Sequence, residues 1–169
     1  MPIQTAEEVE TGTFSALRLA ATGPEILAAK ALVGYVLGLA GVGLTVALTG
    51  LDVQDPLLFF GAAFALIVSL VSFGLLLGLL VPNSNAINTY AAFLLAPLIG
   101  SAVAVYLVDS GIVGAILDVL PFSQAAKLLA DGVSGQAPFG AGVVAWLVIA
   151  AWALAGYGAL ARIASRREV

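Results

Sequence analysis

Residues 56–108 read PLLFFGAAFALIVSLVSFGLLLGLLVPNSNAINTYAAFLLAPLIGSAVAVYLV, with no charged side chain between Asp55 and Asp109. That run is too long for one bilayer crossing, which takes about 20 apolar residues. Pro82-Asn83-Ser84-Asn85 interrupts it with a strong turn signal. It therefore divides into two predicted spans, near 57–80 and 87–108, joined by a tight polar hairpin. The first half identifies the solvent. From Leu57 to Leu80 only Ser69 and Ser72 are polar. A helix of a soluble bundle shows a polar face at helical period, and this one has none.

Two more charge-free gaps lie outside this run, from Lys30 to Asp52 and from Asp131 to Arg162. Each fits one span, near 27–49 and 139–161. The whole chain agrees: of 169 residues, 62% are hydrophobic and 9% charged, against about 25% charged in soluble domains. The mean hydropathy is +1.12. A water-soluble fold of this size could not hide so much apolar surface. The expectation is an all-α integral membrane protein, one membrane domain over 1–169 with four transmembrane helices.

Four spans put both termini on one side. Arg18, Lys30, Arg162, Arg166 and Arg167 fall there, and Lys127 alone falls opposite. The positive-inside rule makes that side cytoplasmic, so the predicted topology is N-in/C-in in the plasma membrane. Met1 to Thr13 carries three Glu and no basic n-region, unlike a signal peptide, so the first span is expected to remain.

The connecting segments carry their own signals. Within residues 1–22, a cytoplasmic helix is predicted over 4–21, opened by the capping-box pattern Thr5-Ala6-Glu7-Glu8. Phe14, Leu17 and Ala21 share one face of it, fit for the membrane surface or a partner protein. Thr22-Gly23-Pro24-Glu25 is a second helix start. Lys30 lies where its stem can snorkel to the headgroups. Gly34 and Gly38, with Gly41 and Gly43 beyond, and Gly74 with Gly78, have the small-residue spacing that lets membrane helices approach closely. Pro97 is expected to kink the third span. Residues 109–138 form an outer interfacial segment read as two short helices broken at Pro121, lying in the interface or dipping partway in. Gly132 is the predicted stop of the second, and Asp118, Lys127 and Asp131 are expected to face water or each other. Trp146, Trp152 and Tyr157 read as membrane anchors.

Several chemistries are excluded. The chain has no His and no Cys, so the common transition-metal and thiol sites are absent. Neither lysine follows the glycines of a phosphate-binding loop, and no carboxylate pair lies within the spans. The chain is expected to be no enzyme and to hold no cofactor. With no basic patch beyond the three C-terminal arginines, no nucleic-acid partner is expected.

Glu10-Thr11-Gly12-Thr13, with Leu17 following and Glu25-Ile26-Leu27-Ala28-Ala29-Lys30 beyond, resembles the cytoplasmic segment of type-two ABC transporter permeases. Those proteins show E-x-G-T-L/F and then E-I-L-x-x-K leading into the next span. Gly78-Leu79-Leu80-Val81-Pro82-Asn83, with Asn85-Ala86-Ile87-Asn88, resembles their tight cytoplasmic hairpin. Leu120-Pro121-Phe122-Ser123, followed by Lys127 and Gly132, resembles their outer re-entrant helices before the last span. The resemblance runs along nearly the whole chain. It departs at Ala20-Ala21, where members often have a proline, and it covers the last four of the family's usual six spans.

The resemblance implies a permease subunit of an ABC transporter, an exporter, forming part of the translocation path in the bilayer. A separate ATP-binding subunit would dock below and a second permease chain, identical or different, would sit beside it. Carried over by motif, the coupling contact with the ATPase falls on Glu10, Gly12, Thr13, Phe14 (in the L/F place) and Leu17. The alternative is a truncated or non-transporting membrane scaffold. A stand-alone carrier would usually hold ionisable residues at the midplane, and the predicted spans hold none there.

Overall fold

The structure, a computed structural model, describes residues 22–81, 84–108, 111–135 and 142–166. These form six helices and no strand: α1 (Gly23–Thr49), α2 (Pro56–Leu80), α3 (Ser84–Ala104), α4 (Gly111–Val119), α5 (Pro121–Ser134) and α6 (Val143–Arg166). The predicted N-terminal helix over 4–21 lies outside the described residues.

Local chemistry sets the helix ends. Glu25 Oε2 accepts from the Thr22 N–H and from its hydroxyl, each at 2.8 Å, which fixes the start of α1. These bonds, the backbone one first, hold the Glu25 carboxyl below the usual carboxylate range. Gly50 ends α1 with φ of 63°, a left-handed conformation that a Cβ disfavours. Asp55 caps α2, its Oδ1 accepting from the Leu58 N–H at 3.0 Å, with Pro56 in the first turn.

α1, α2 and the part of α6 up to Ile163 are each long and apolar enough to cross a membrane, and α4 with α5 makes a fourth such unit if the bent pair counts as one. The helix read at 87–108 is displaced toward the N-terminus, starting at Ser84. α3 ends at Ala104, and its apolar part among the described residues is Thr89–Ala104, about 24 Å at 1.5 Å per residue. Pro97 sits inside it and leaves the Phe93 carbonyl without its helical donor.

Two cores are stacked along α2 and α6. The first joins Leu58 and Ala62 of α2, Ala125 and Leu128 of α5, and Ala145 and Ile149 of α6. The second joins Leu27 and Ala31 of α1, Leu75 and Leu79 of α2, and Leu160 of α6. Thus α5 completes the bundle beside the N-terminal halves of α2 and α6, and α1 completes it beside their C-terminal halves. The hydroxyls of Tyr35 and Tyr157 also bond across α1 and α6, so Tyr157, expected as an anchor, is a packing residue of this core.

Glycines set the helix spacing, as the small-residue pattern predicts. A Cβ on Gly34 or Gly38 would meet Val71 at 2.8 Å or Ile67 at 2.9 Å on α2. Gly41 and Gly43 have nothing within 4 Å and take no part. Gly132 is not the stop predicted for it. α5 runs on to Ser134 and is capped by Gly135, at φ 64°. The space at Gly132 is taken by the Phe59 backbone, whose N and Cα would lie 2.9 Å from an added Cβ, and the Gly132 carbonyl accepts from the Asp55 N–H at 2.8 Å. Close approach to α2, not chain reversal, requires this glycine.

Candidate functional site

The break between α4 and α5 bends the chain by 82°. From Gly132 against Phe59, α5 runs along α2 until Leu120, Pro121 and Phe122 share a cavity wall with Ser69, Phe73 and Trp152. Ser69 is thirteen residues past Pro56 in the 25-residue α2, about 20 Å along it. The elbow therefore lies level with the middle of α2. The sequence located the break at Pro121; the depth follows from the fit of Gly132 on Phe59.

A helix that ends inside a bundle leaves its last carbonyls without intrahelical donors, and buried carbonyls need partners. The five residues after the break, with one side chain from α6, supply them. The Leu117 carbonyl accepts from the Ser123 hydroxyl and, at 3.1 Å, from the Leu120 N–H. The Asp118 carbonyl accepts from Gln124 Nε2 at 2.8 Å. The Val119 carbonyl accepts from Trp152 Nε1 at 2.7 Å. The Leu120 carbonyl accepts from the Ser123 hydroxyl at 3.0 Å and the Gln124 N–H at 3.3 Å. Pro121 opens α5 with no N–H to leave unpaired. Farther along, Tyr106 donates to the Ala126 carbonyl at 2.8 Å, tying the turn after α3 to α5.

The elbow has two chemically opposite sides. On one, a cavity of about 470 Å³ lies between α2, α3, the elbow and Trp152. Its polar donors are already committed. The Ser69 hydroxyl faces the carbonyls of Ala65 and Ile149 at 3.2 and 3.3 Å, and Trp152 bonds to Val119. The rest of the wall, including Leu77, Leu94, Pro97 and Leu98, is apolar, which suits an apolar ligand. On the other side, Lys127 Nζ donates to Asp118 Oδ1 at 2.7 Å, and Gln124 Nε2 reaches the same oxygen at 3.3 Å. The expectation that Asp118 and Lys127 face each other holds; their depth along α2 is new.

The sequence singled out Glu10, Gly12, Thr13, Phe14 and Leu17 as the partner-binding site. All five lie outside the described residues. It missed Ser123 and Gln124 as caps, although a Ser-Gln pair two residues after a helix-breaking proline was a visible signal. Trp152 reads as an anchor in the sequence; in the structure its indole N–H serves the elbow. Among the described residues no group of three or more His, Cys, Asp or Glu could hold a metal ion. No family model fits the chain, and no curated protein or solved structure matches it.

Proposed function

We propose that this chain is the membrane subunit of an ABC transporter, spanning the plasma membrane four times through α1, α2, α3 and α6 with both termini cytoplasmic. In this reading α4 and α5 re-enter the bilayer from outside, and the pair is what carries the proposal. A half-membrane helix pair is of little use to a simple anchor, because every carbonyl at its elbow needs a dedicated donor. Irregular backbone at membrane depth belongs where it lines a cavity, and this elbow borders one. The committed donors of that cavity favour an apolar passenger. The resemblance of Leu120-Pro121-Phe122-Ser123 to the outer helices of type-two ABC permeases adds the family, and with it an ATP-binding partner and a second permease chain. ATP-driven closure on the cytoplasmic side would then bias a bundle that packs two ways.

The test is purification from native membranes in mild detergent, with the co-purifying chains identified and their ATPase activity measured. The account expects an ATP-binding subunit in near-stoichiometric amount. Leu17→Asp should uncouple ATP hydrolysis from transport, because a charge on the docking face opposes apolar contact. A chain that purifies only with itself, and a Leu17→Asp variant with unchanged coupling, would favour the scaffold reading.

A further inference from the structure

The elbow carries charge at a depth where lipid tolerates little. The Asp118 and Lys127 side chains are 61% and 42% exposed respectively. Neighbouring Val119 is held by Trp152, the tenth residue of α6, and adjoining Pro121 borders the cavity with Ser69. The pair thus lies well down the bundle from Pro56, the end of α2 that the proposed topology puts outside.

α1 shows what a lipid-facing surface of this chain looks like. Leu32, Val36, Leu37, Leu44 and Leu48 are exposed there, and the exposed hydroxyls of Thr45 and Thr49 are turned back onto the carbonyls of Gly41 and Thr45. Nothing polar is offered outward. Asp118 and Lys127 do the reverse. An ammonium has three donors and a carboxylate about four acceptor sites, and their mutual bond uses one of each. Facing hydrocarbon, the remainder would go unsolvated at heavy cost.

We infer that the notch between α4 and α5 is filled with water: an aqueous vestibule enters from the outer side and reaches the elbow, with Asp118, Lys127 and Gln124 on its wall. This rests on the membrane topology proposed above. The elbow then separates two phases, water on the Asp118 side and an apolar cavity on the Phe122 side. A passenger leaving the cavity would meet water there, deep inside the bundle rather than at its outer rim.

The chain has no cysteine, so a single introduced one is the only thiol. In intact cells, Asp118→Cys, Lys127→Cys, Leu37→Cys and Asp52→Cys are treated from outside with a membrane-impermeant, thiolate-selective reagent. Asp52 lies in the outer α1–α2 connection. Apolar surroundings raise a thiol's pKa and each unit cuts the thiolate about tenfold. Asp118→Cys and Lys127→Cys should therefore react within about tenfold of Asp52→Cys, and Leu37→Cys at least about 100-fold more slowly. If the elbow thiols are as slow as Leu37→Cys yet label readily in detergent, or are shielded because they cross-link to a second copy, the vestibule is wrong. If Leu37→Cys reacts as fast as Asp52→Cys, the membrane topology itself fails. A misfolded Asp118→Cys would leave Lys127→Cys to decide, with the same two outcomes.

Discussion

α1 and α5 are the third members of the two stacked cores, and they are held in opposite ways. α1 meets α2 through shape, and a hydroxyl bond from Tyr35 to Tyr157 ties it to α6. Gly34 and Gly38 admit Val71 and Ile67, and most of the helix surface stays apolar and exposed. α5 is half as long, and its deep end is fixed by hydrogen bonds to four consecutive carbonyls, Leu117 through Leu120. A helix that crosses lipid closes its own backbone bonds and needs only a fit. A helix that stops inside must be given partners, so its sequence is dense in side chains chosen for particular carbonyls.

Gly132 should show the difference between the two helices most strongly. Valine there would press on the Phe59 backbone and Cβ, which cannot swing aside as the end of a flexible side chain can, and should cost about 3 kcal/mol, the upper range for overpacking. The same change at Gly41 on α1, with nothing within 4 Å, should be nearly neutral. Thermal unfolding in detergent, followed by the fluorescence of Trp146 and Trp152, compares the two directly. Equal losses would mean that helix propensity rather than contact governs both.

Gln124→Leu sharpens the claim about carbonyls. It keeps much of the buried volume but takes the side-chain donor from the Asp118 carbonyl, and should cost about 1–3 kcal/mol. Trp152→Phe strips Val119 of its donor and should cost a similar amount. Leu37→Ala on α1, where the side chain is 62% exposed, removes no internal contact of comparable weight and should shift the unfolding midpoint far less. If Leu37→Ala costs as much as Gln124→Leu, the contrast between the helices is false.

Smaller effects come from the charges. Lys127→Met should cost less than about 1 kcal/mol, because its pair with Asp118 is exposed and solvated in the vestibule. A cost of several kcal/mol would mean that the pair is buried against something. The smallest effect is acid on the cap of α1. The Glu25 pKa is lowered by its bonds to Thr22, so the cap's contribution is complete above the ordinary carboxylate pKa and is lost as pH falls through the lowered value. Amide exchange at the first turn of α1 should quicken over that acid range, and Glu25→Gln should blunt the response.

Much of this architecture was legible in the sequence because membranes make charge spacing informative. The gaps bounded by Lys30, Asp52, Asp55, Asp131 and Arg162 locate α1, α2 and α6 to within a few residues. The Pro82–Asn85 signal falls where α2 gives way to α3, and Pro121 falls at the bend between α4 and α5. What was illegible depends on contacts between elements. Gly132 looks like a stop until Phe59 is seen behind it, and Trp152 looks like an anchor until the Val119 carbonyl is seen ahead of it. Asp118 and Lys127 escaped the reading of charge-free spans because a bent helix pair, not one of the predicted spans, brings them level with the middle of α2.

Whether α4 and α5 re-enter or cross is decided by the sides on which their two ends lie. Leu107 lies just before the pair and Ser134 at its end. In the cysteine-free chain, Leu107→Cys and Ser134→Cys are each treated with an impermeant thiol reagent, from outside intact cells and then from the cytoplasmic side in inverted vesicles. Re-entry requires both thiols to react from outside, with Arg162→Cys reacting only from the cytoplasmic side. If Leu107→Cys and Ser134→Cys react from opposite sides, the pair is a broken span, and the four-crossing topology built on it is contradicted.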